Sequence, residues 1–275
     1  MNQHFWIPGQ AENDIKISPT CPPAGRKFQM FGRYKLERNR NMKEKEEEKP
    51  SGFLLVNKPT DWTSHDVVGF LRGVTKIKKI GHAGTLDPFA EGLLIVAVGR
   101  DSTKRIDEFK NLDKTYLTKI KLGTETDTYD KTGKITNKIT PKIKPTKKEV
   151  EKVLKNFLGK QSQLPPMYSA KKIKGKKLYE LAREGIEVER KPHEITIKKI
   201  TLKKYKYPFL TIEVNCTTGT YIRTLAFDIG KKLKTGAYCE KLKRESIGTF
   251  LLKKAKKVKK FNKKNWRKNL FQILT

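Results

Sequence analysis

The chain has 275 residues, with 62 Lys or Arg against 29 Asp or Glu, so its formal net charge is +33. Hydrophobic residues make up 36% and aromatics 9%, enough for a sizeable core, which excludes a wholly disordered basic tail. No apolar run approaches the roughly 20 residues that span a bilayer, which excludes a helical membrane protein. A compact chain tolerates such a surplus when a polyanion meets it, and nucleic acid is the polyanion expected. The competing reading is a lysine-rich composition that fills solvated faces and binds nothing. Cys21, Cys216 and Cys239 are odd in number and widely spaced, with no C-x-x-C pair. That argues against a disulfide framework or a Cys-type zinc site and for a reducing compartment.

Residues 1–50 form an N-terminal extension of turn formers and isolated aromatics without a sustained period, expected to be disordered. It has no apolar segment of a secretory signal, and Glu12, Asp14 and Glu37 argue against an acid-poor transit peptide. Met42 opens a solvated charge block, MKEKEEEKP, and is the expected natural start, with residues 1–41 upstream of it. GFLLVNKP (Gly52–Pro59) then reads as a strand stopped by proline, and Thr63 or Ser64 caps a helix over His65–Gly73 with Val67, Val68 and Leu71 on one face. LLIVAVG (Leu93–Gly99) reads as a buried strand, Ser102–Lys110 as a helix, and KTYLTKIKLG (Lys114–Gly123) as a half-buried strand. Thr146 with Glu149 is a capping box for a helix running through Leu158. HEITIKKITLKKY and FLTIEVNC alternate at period two and predict an antiparallel pair; Thr220–Leu233 reads as helix. Strands that do not alternate regularly with helices favour an α+β fold.

The C-terminal segment, residues 251–275, is a basic tail: Leu251–Lys268 has ten basic and no acidic residues. It reads either as a disordered solubilising tail or as an electrostatic arm on nucleic acid, with Phe261 and Trp266 available to stack or to anchor.

The segment richest in chemistry is KIGHAGTLDPFAEGLLIVAVG (Lys79–Gly99). Gly81, Gly84 and Pro88 fit a tight irregular loop, and Asp87 is held just before a proline, beside a core strand. A carboxylate so constrained suits nucleophilic or acid–base work, although an Asp-Pro pair in a glycine-rich loop is more often a plain turn. His4 lies in the N-terminal extension, His65 and His193 have no partner at metal-ligand spacing, and no phosphate-loop or dinucleotide fingerprint occurs, so neither a metal nor a nucleotide cofactor is expected.

GHAGTLDPFAEGLL resembles the signature of the bacterial tRNA pseudouridine-55 synthases, the TruB family. Further blocks follow in family order: GFLLVNKPTDWTSHDVV, DKTYLTKIKLGTETDTYDKTG, QLPPMYSAKKIKGKKLYELAREG, CTTGTYIRTLAFDIG and LKRESIGTF, together spanning Gly52 to Phe250. The resemblance implies a catalytic domain over residues 51–250, with a mixed, mainly antiparallel central sheet flanked by helices and loops, and an RNA-contacting insertion around 161–190. It implies isomerisation of the T-loop uridine of tRNA to pseudouridine without a cofactor or metal, by a monomer, in the bacterial cytoplasm or in an organelle if the source is eukaryotic. By residue, Asp87 matches the family's essential aspartate, acting on ribose or base as nucleophile or base. Tyr116 matches the tyrosine that stacks on the target base and is suited to moving the carbon-5 proton, and Arg223 the arginine that pairs with the aspartate. Tyr221 and Leu242 match residues lining the uracil pocket, His82 the histidine that helps extrude the uridine, and Lys58 with Pro59 a pair near the pocket floor. Asp127 lies in a matching block and reads as structural.

Bacterial members commonly end in a small barrel related to the PUA domain, and the 25 residues after Phe250 are too few and too charged to form one. Two alternatives stand beside this reading: the RNA-guided synthases that share the GTLDP loop, and a non-catalytic RNA-binding or RNA-chaperone protein on a synthase scaffold. Retention of Asp87, Tyr116 and Arg223 together opposes the last, since a pure binder needs none of the three.

Overall fold

Apolar runs with and without alternation fix which strands are covered on one face and which on two. The computed structural model describes residues 50–273 except Ala170 and Lys174; the N-terminal extension before Pro50, and with it the expected start at Met42, lies outside the described residues. In chain order the elements are β1 (Gly52–Lys58), α1 (Ser64–Thr75), β2 (Ile80–Ala83), β3 (Glu91–Val98), α2 (Arg100–Lys104), α3 (Asp107–Lys110) and β4 (Lys114–Leu122). Next come β5 (Thr124–Thr126), β6 (Ile135–Lys138), α4 (Lys147–Lys155), β7 (Gly159–Gln163), β8 (Lys172–Ile173), β9 (Lys176–Lys177) and α5 (Leu178–Arg183). Then follow β10 (His193–Lys206), β11 (Phe209–Cys216), α6 (Ile222–Lys232), β12 (Ala237–Ile247), β13 (Phe250–Leu251) and β14 (Lys256–Lys257).

One large sheet carries the site, in the order β14-β1-β3-β12-β4-β11-β10-β7, with β2 on β3 and β13 on β12. Pairing is antiparallel except for β1 with β14 and β3 with β12. This is the α+β class, a mixed and mainly antiparallel sheet with helices on its faces. β3 is apolar throughout because both of its faces are covered. Leu94, Val96 and Val98 pack on α1 through Val67, Val68 and Leu71, while Leu93, Ile95 and Ala97 pack with Phe53, Phe109 and Ile247. β4 alternates strictly, sending Tyr116, Ile120 and Leu122 into a core shared with β11 and α6.

Two of the helix starts carry side-chain caps. Thr63 caps α1 and makes a reciprocal capping box with Asp66, and Thr146 does the same with Glu149 at α4. The expected helix over Ser102–Lys110 is instead two short pieces, because Ile106 packs against the Phe53–Phe109 cluster and the chain turns there. α4 stops at Lys155 so that Phe157 can turn into the core, and α6 starts at Ile222 after a turn in which the Thr220 hydroxyl donates to the Thr217 carbonyl. No described helix is long and apolar enough to cross a membrane. Cys216 and Cys239 are buried free thiols.

The C-terminal segment departs most from expectation. Through Ile273 it is folded onto the domain: β14 runs parallel to β1, and Phe271 exchanges two backbone hydrogen bonds with Phe53, of 2.9 and 3.0 Å. Phe261 and Trp266 are each only 3% exposed, inside the cluster that holds Val67 and Leu71. They anchor the segment and are not available to stack on a base. Trp266→Ala should therefore destabilise the domain by about 3 to 5 kcal/mol, the range for emptying a large aromatic site, with equilibrium urea unfolding as the check. A surface segment would show almost no change.

Candidate active site

The loop between β2 and β3 is pinned along its length. Arg244, 1% exposed on β12, sends Nη2 to the Gly84 carbonyl (3.0 Å), Nη1 to Thr85 (3.4 Å) and Nε to Leu93 (2.8 Å). Its backbone passes so close to β3 that a Cβ on Gly92 (φ +117°) would lie 2.4 Å from the Arg244 carbonyl oxygen, so only glycine fits there. The Leu86 amide donates to the Ser64 hydroxyl at 2.9 Å, at the first residue of α1. The Pro88 carbonyl accepts from the Asp61 amide at 2.8 Å and from Lys58 Nζ at 3.2 Å. Lys58 is fully buried, and its ammonium also reaches the Pro59 and Trp62 carbonyls at 2.9 and 2.6 Å. Burial lowers it to about 8. It clamps the loop from behind and does not line the pocket, although the resemblance sets it near the floor.

Asp87 tops this loop and meets Arg223 in a two-point pair, Nε to Oδ2 at 2.8 Å and Nη2 to Oδ1 at 3.2 Å. The arginine side chain is 3% exposed and the aspartate 34%, so the pair presents its carboxylate side to solvent. Arg223 also donates to the Thr128 and Tyr168 carbonyls, at 2.9 and 2.7 Å, and lies 3.5 Å from Asp130 Oδ2. Burial opposes the guanidinium charge, and Asp87 with Asp130 more than offsets it, holding the group above its ordinary value. Asp130 is itself buried and accepts from the Thr128 and Thr132 hydroxyls and the Thr132 amide through Oδ1. Asp127 caps the Lys134 amide at 2.8 Å, a structural contact.

Beside the pair lies a cavity of about 470 Å³, lined among others by Asp87, Tyr116, Tyr221, Arg223, Leu242 and Arg244. It has room for one unstacked nucleotide and none for a duplex. Tyr116 and Arg244 are paired across β4 and β12. Burial raises the Tyr116 phenol above its ordinary value with the Arg244 guanidinium beside it, so the group is neutral near pH 7. Lys110, Lys114 and Lys171 also line the cavity and make it attractive to a phosphate. His82 lines the adjoining cavity instead, edge-on to His65 at 5.4 Å; burial pushes it down to about 4, so its ring is neutral.

Five of the seven site residues expected from sequence, Asp87, Tyr116, Arg223, Tyr221 and Leu242, thus share one cavity, and Lys58 and His82 flank it. Three residues escape the sequence reading: Asp130, Arg244 and Gln163. Gln163, 4% exposed at the end of β7, accepts from the Tyr221 amide at 2.8 Å and donates to the Tyr221 carbonyl at 3.0 Å. Tyr221 is two residues before Arg223, so this clamp fixes the start of α6 in front of Asp87. Among the described residues no group of three His, Cys, Asp or Glu could hold a metal ion.

The chain is similar to known proteins over about three quarters of its length. The profile "TruB family pseudouridylate synthase (N terminal domain)" matches residues 72–222. A tRNA pseudouridine synthase B of Dehalococcoides mccartyi (strain CBDB1) is 49% identical over 201 residues, 73% of this chain and 66% of its own. One of Clostridium tetani (strain Massachusetts / E88) is 45% identical over 215 residues, 78% of this chain and 74% of its own. The chain therefore spans about two thirds of the length of its first curated relatives. Among solved structures, a chain of a Cbf5-Nop10-Gar1 complex superposes with a TM-score of 0.59 at 25% identity, over 75% of this chain and 52% of that one.

The Gln163 clamp makes a prediction that separates positioning from folding. Gln163→Glu keeps the size and the acceptor but, when ionised, cannot donate to the Tyr221 carbonyl. Burial raises the introduced carboxyl's pKa, so lowering the pH restores its donor. The turnover of this variant relative to wild type should rise as pH falls from 8 to 6, at unchanged RNA affinity; a flat ratio contradicts the role.

Proposed function

Since this chain belongs to the TruB family of pseudouridylate synthases, we propose that it isomerises the T-loop uridine at tRNA position 55 to pseudouridine, with Asp87 as the essential catalytic group. The observation that carries this reading is the Asp87–Arg223 pair. A half-exposed carboxylate, oriented at both oxygens by a buried guanidinium, faces a cavity sized for one nucleotide. A uridine in a folded T-loop is stacked, and it reaches such a cavity only by being flipped out.

In the reaction the bond from ribose C1′ to uracil N1 breaks, the uracil turns, and a bond from C1′ to C5 forms. The proton on C5 leaves and N1 ends protonated, so the change is an isomerisation with no net gain or loss of atoms. Asp87 acts on the flipped nucleotide, and Arg223 holds it aimed through two hydrogen bonds. Tyr116 and Leu242 are the expected walls for the uracil ring, and Tyr221 completes the pocket. Tyr116 enters as a neutral phenol, and the Arg244 guanidinium beside its oxygen can offset charge there while the C5 proton moves. His82, neutral and next to the cavity, is the residue expected to help extrude the uridine. Lys58 acts at one remove, through the Pro88 carbonyl. Nothing in this scheme calls on a cofactor or a metal, and the T-arm of tRNA is the one partner it requires, with the protein as a monomer.

The test uses an unmodified tRNA transcript. Wild-type protein should convert one T-loop uridine to pseudouridine. Asp87→Asn should stay folded, because Arg223 keeps Asp130 as its counter-charge. It should bind the transcript as wild type does and lose turnover by more than about 10²-fold, the scale of a missing catalytic group. A wild-type protein that binds tRNA and forms no pseudouridine would make the chain a binder on a synthase scaffold.

A further inference from the structure

The stretch from Leu251 to Phe271 sorts its side chains by face. Val258, Phe261 and Trp266 point into the core, and Asn262 ties the turn between the last two anchors by accepting from the Lys264 and Asn265 amides, both at 3.0 Å. Nine of the ten basic residues between Lys253 and Lys268 are exposed, and the stretch has no acidic residue. Among the described residues none of the ten forms an ion pair. Like charges held on an anchored backbone repel one another, and that arrangement becomes favourable when a polyanion lies across it.

Its place in the fold is set by register. Lys256 and Lys257 lie opposite Val56 and Asn57 of β1, one strand spacing away (about 4.8 Å). The next residue of β1, Lys58, is the one that holds the Pro88 carbonyl beside Asp87. Lys259 Nζ sits 6.0 Å above the Trp62 ring, and the Trp62 carbonyl accepts from Lys58. The basic face therefore adjoins the turn that supports the Asp87 loop.

We propose that residues 253–268 form a rigid basic plate that takes the phosphate backbone of the RNA substrate beside the Asp87 pocket. This deepens the reading of the chain as a tRNA-modifying enzyme and rests on it for the identity of the RNA. The aromatic side chains here are buried, so the contact is with phosphates and is independent of sequence. The same burial disfavours an anionic membrane, because interfacial segments turn Trp, Phe or Leu toward the lipid. The packed backbone also spares the ordering cost that a disordered arm incurs on binding.

The experiment replaces Lys257, Lys260, Lys263 and Lys264 by Gln in the full chain. The control set is Lys148, Lys152, Lys199 and Lys204, exposed on α4 and β10 toward the opposite end of the sheet. With an unmodified tRNA transcript, the plate variant should bind about tenfold or more weakly near 0.15 M salt, with a log–log salt slope shallower by about 2 to 3, since each phosphate contact contributes roughly 0.9. Turnover at saturating tRNA and the melting temperature should match wild type, and the control set should lose less than about threefold in affinity. Unchanged affinity and slope in the plate variant overturn the proposal, and so does an equal loss in the control set. Loss of binding to phosphatidylserine vesicles with tRNA binding intact would also overturn it and assign the plate to a membrane. Absence of pseudouridine from the wild type would count against the enzyme and leave the plate to be judged by tRNA binding alone.

Discussion

The arrangement turns on one buried arginine. Arg223 is 3% exposed, and a guanidinium there is tolerable only with its charge and all its donors met. Two carboxylates and two carbonyls meet them: Asp87, Asp130, Thr128 and Tyr168. These come from three separate parts of the chain, so satisfying one side chain brings the β2–β3 loop, the turn before β6 and the insertion after β7 to the start of α6. Of the two carboxylates that meet the guanidinium, Asp130 is buried and Asp87 is the exposed end. An aimed carboxylate thus follows from the need to satisfy a buried cation.

The surroundings serve the same end from other directions. Arg244 grips the loop backbone before Asp87, Lys58 and Asp61 grip it after, and Ser64 ties it to α1. None of these contacts is to the carboxylate itself; all are to backbone carbonyls and amides. The loop's irregular path, with its glycines and proline, leaves backbone groups that no sheet neighbour can satisfy, and buried basic or hydroxyl side chains take that role. The pocket is built from one-sided strands, and the loop is stiff because β3 beneath it is packed on both faces.

The strands and the site loop were legible in the sequence because their signals are local. β1, β3, β4, β10 and β11 follow from apolar runs and alternation, and the Thr146–Glu149 capping box is read within four residues. Asp87 stands out by its Gly and Pro neighbours, and the residues that share its pocket were named through the family resemblance. What escaped detection depends on contacts between distant segments. Asp130 looked no different from Asp127, three residues earlier, and only the approach of Arg223 separates their roles. Arg244 is one basic residue among many on a lysine-rich chain. The C-terminal lysines advertised a solvated tail, while the apolar residues that dock it recur at irregular intervals and match no helix or strand period.

The most direct measurement of the central claim is single-turnover pseudouridine formation by Arg223→Lys. A lysine keeps the positive charge between Asp87 and Asp130 but gives up the planar two-point contact and the bonds to the Thr128 and Tyr168 carbonyls. The account predicts a folded protein that binds tRNA within about twofold of wild type and forms product about 10²-fold more slowly. A rate equal to that of wild type would contradict it, showing that Asp87 needs only a nearby positive charge and not the geometry that Arg223 imposes.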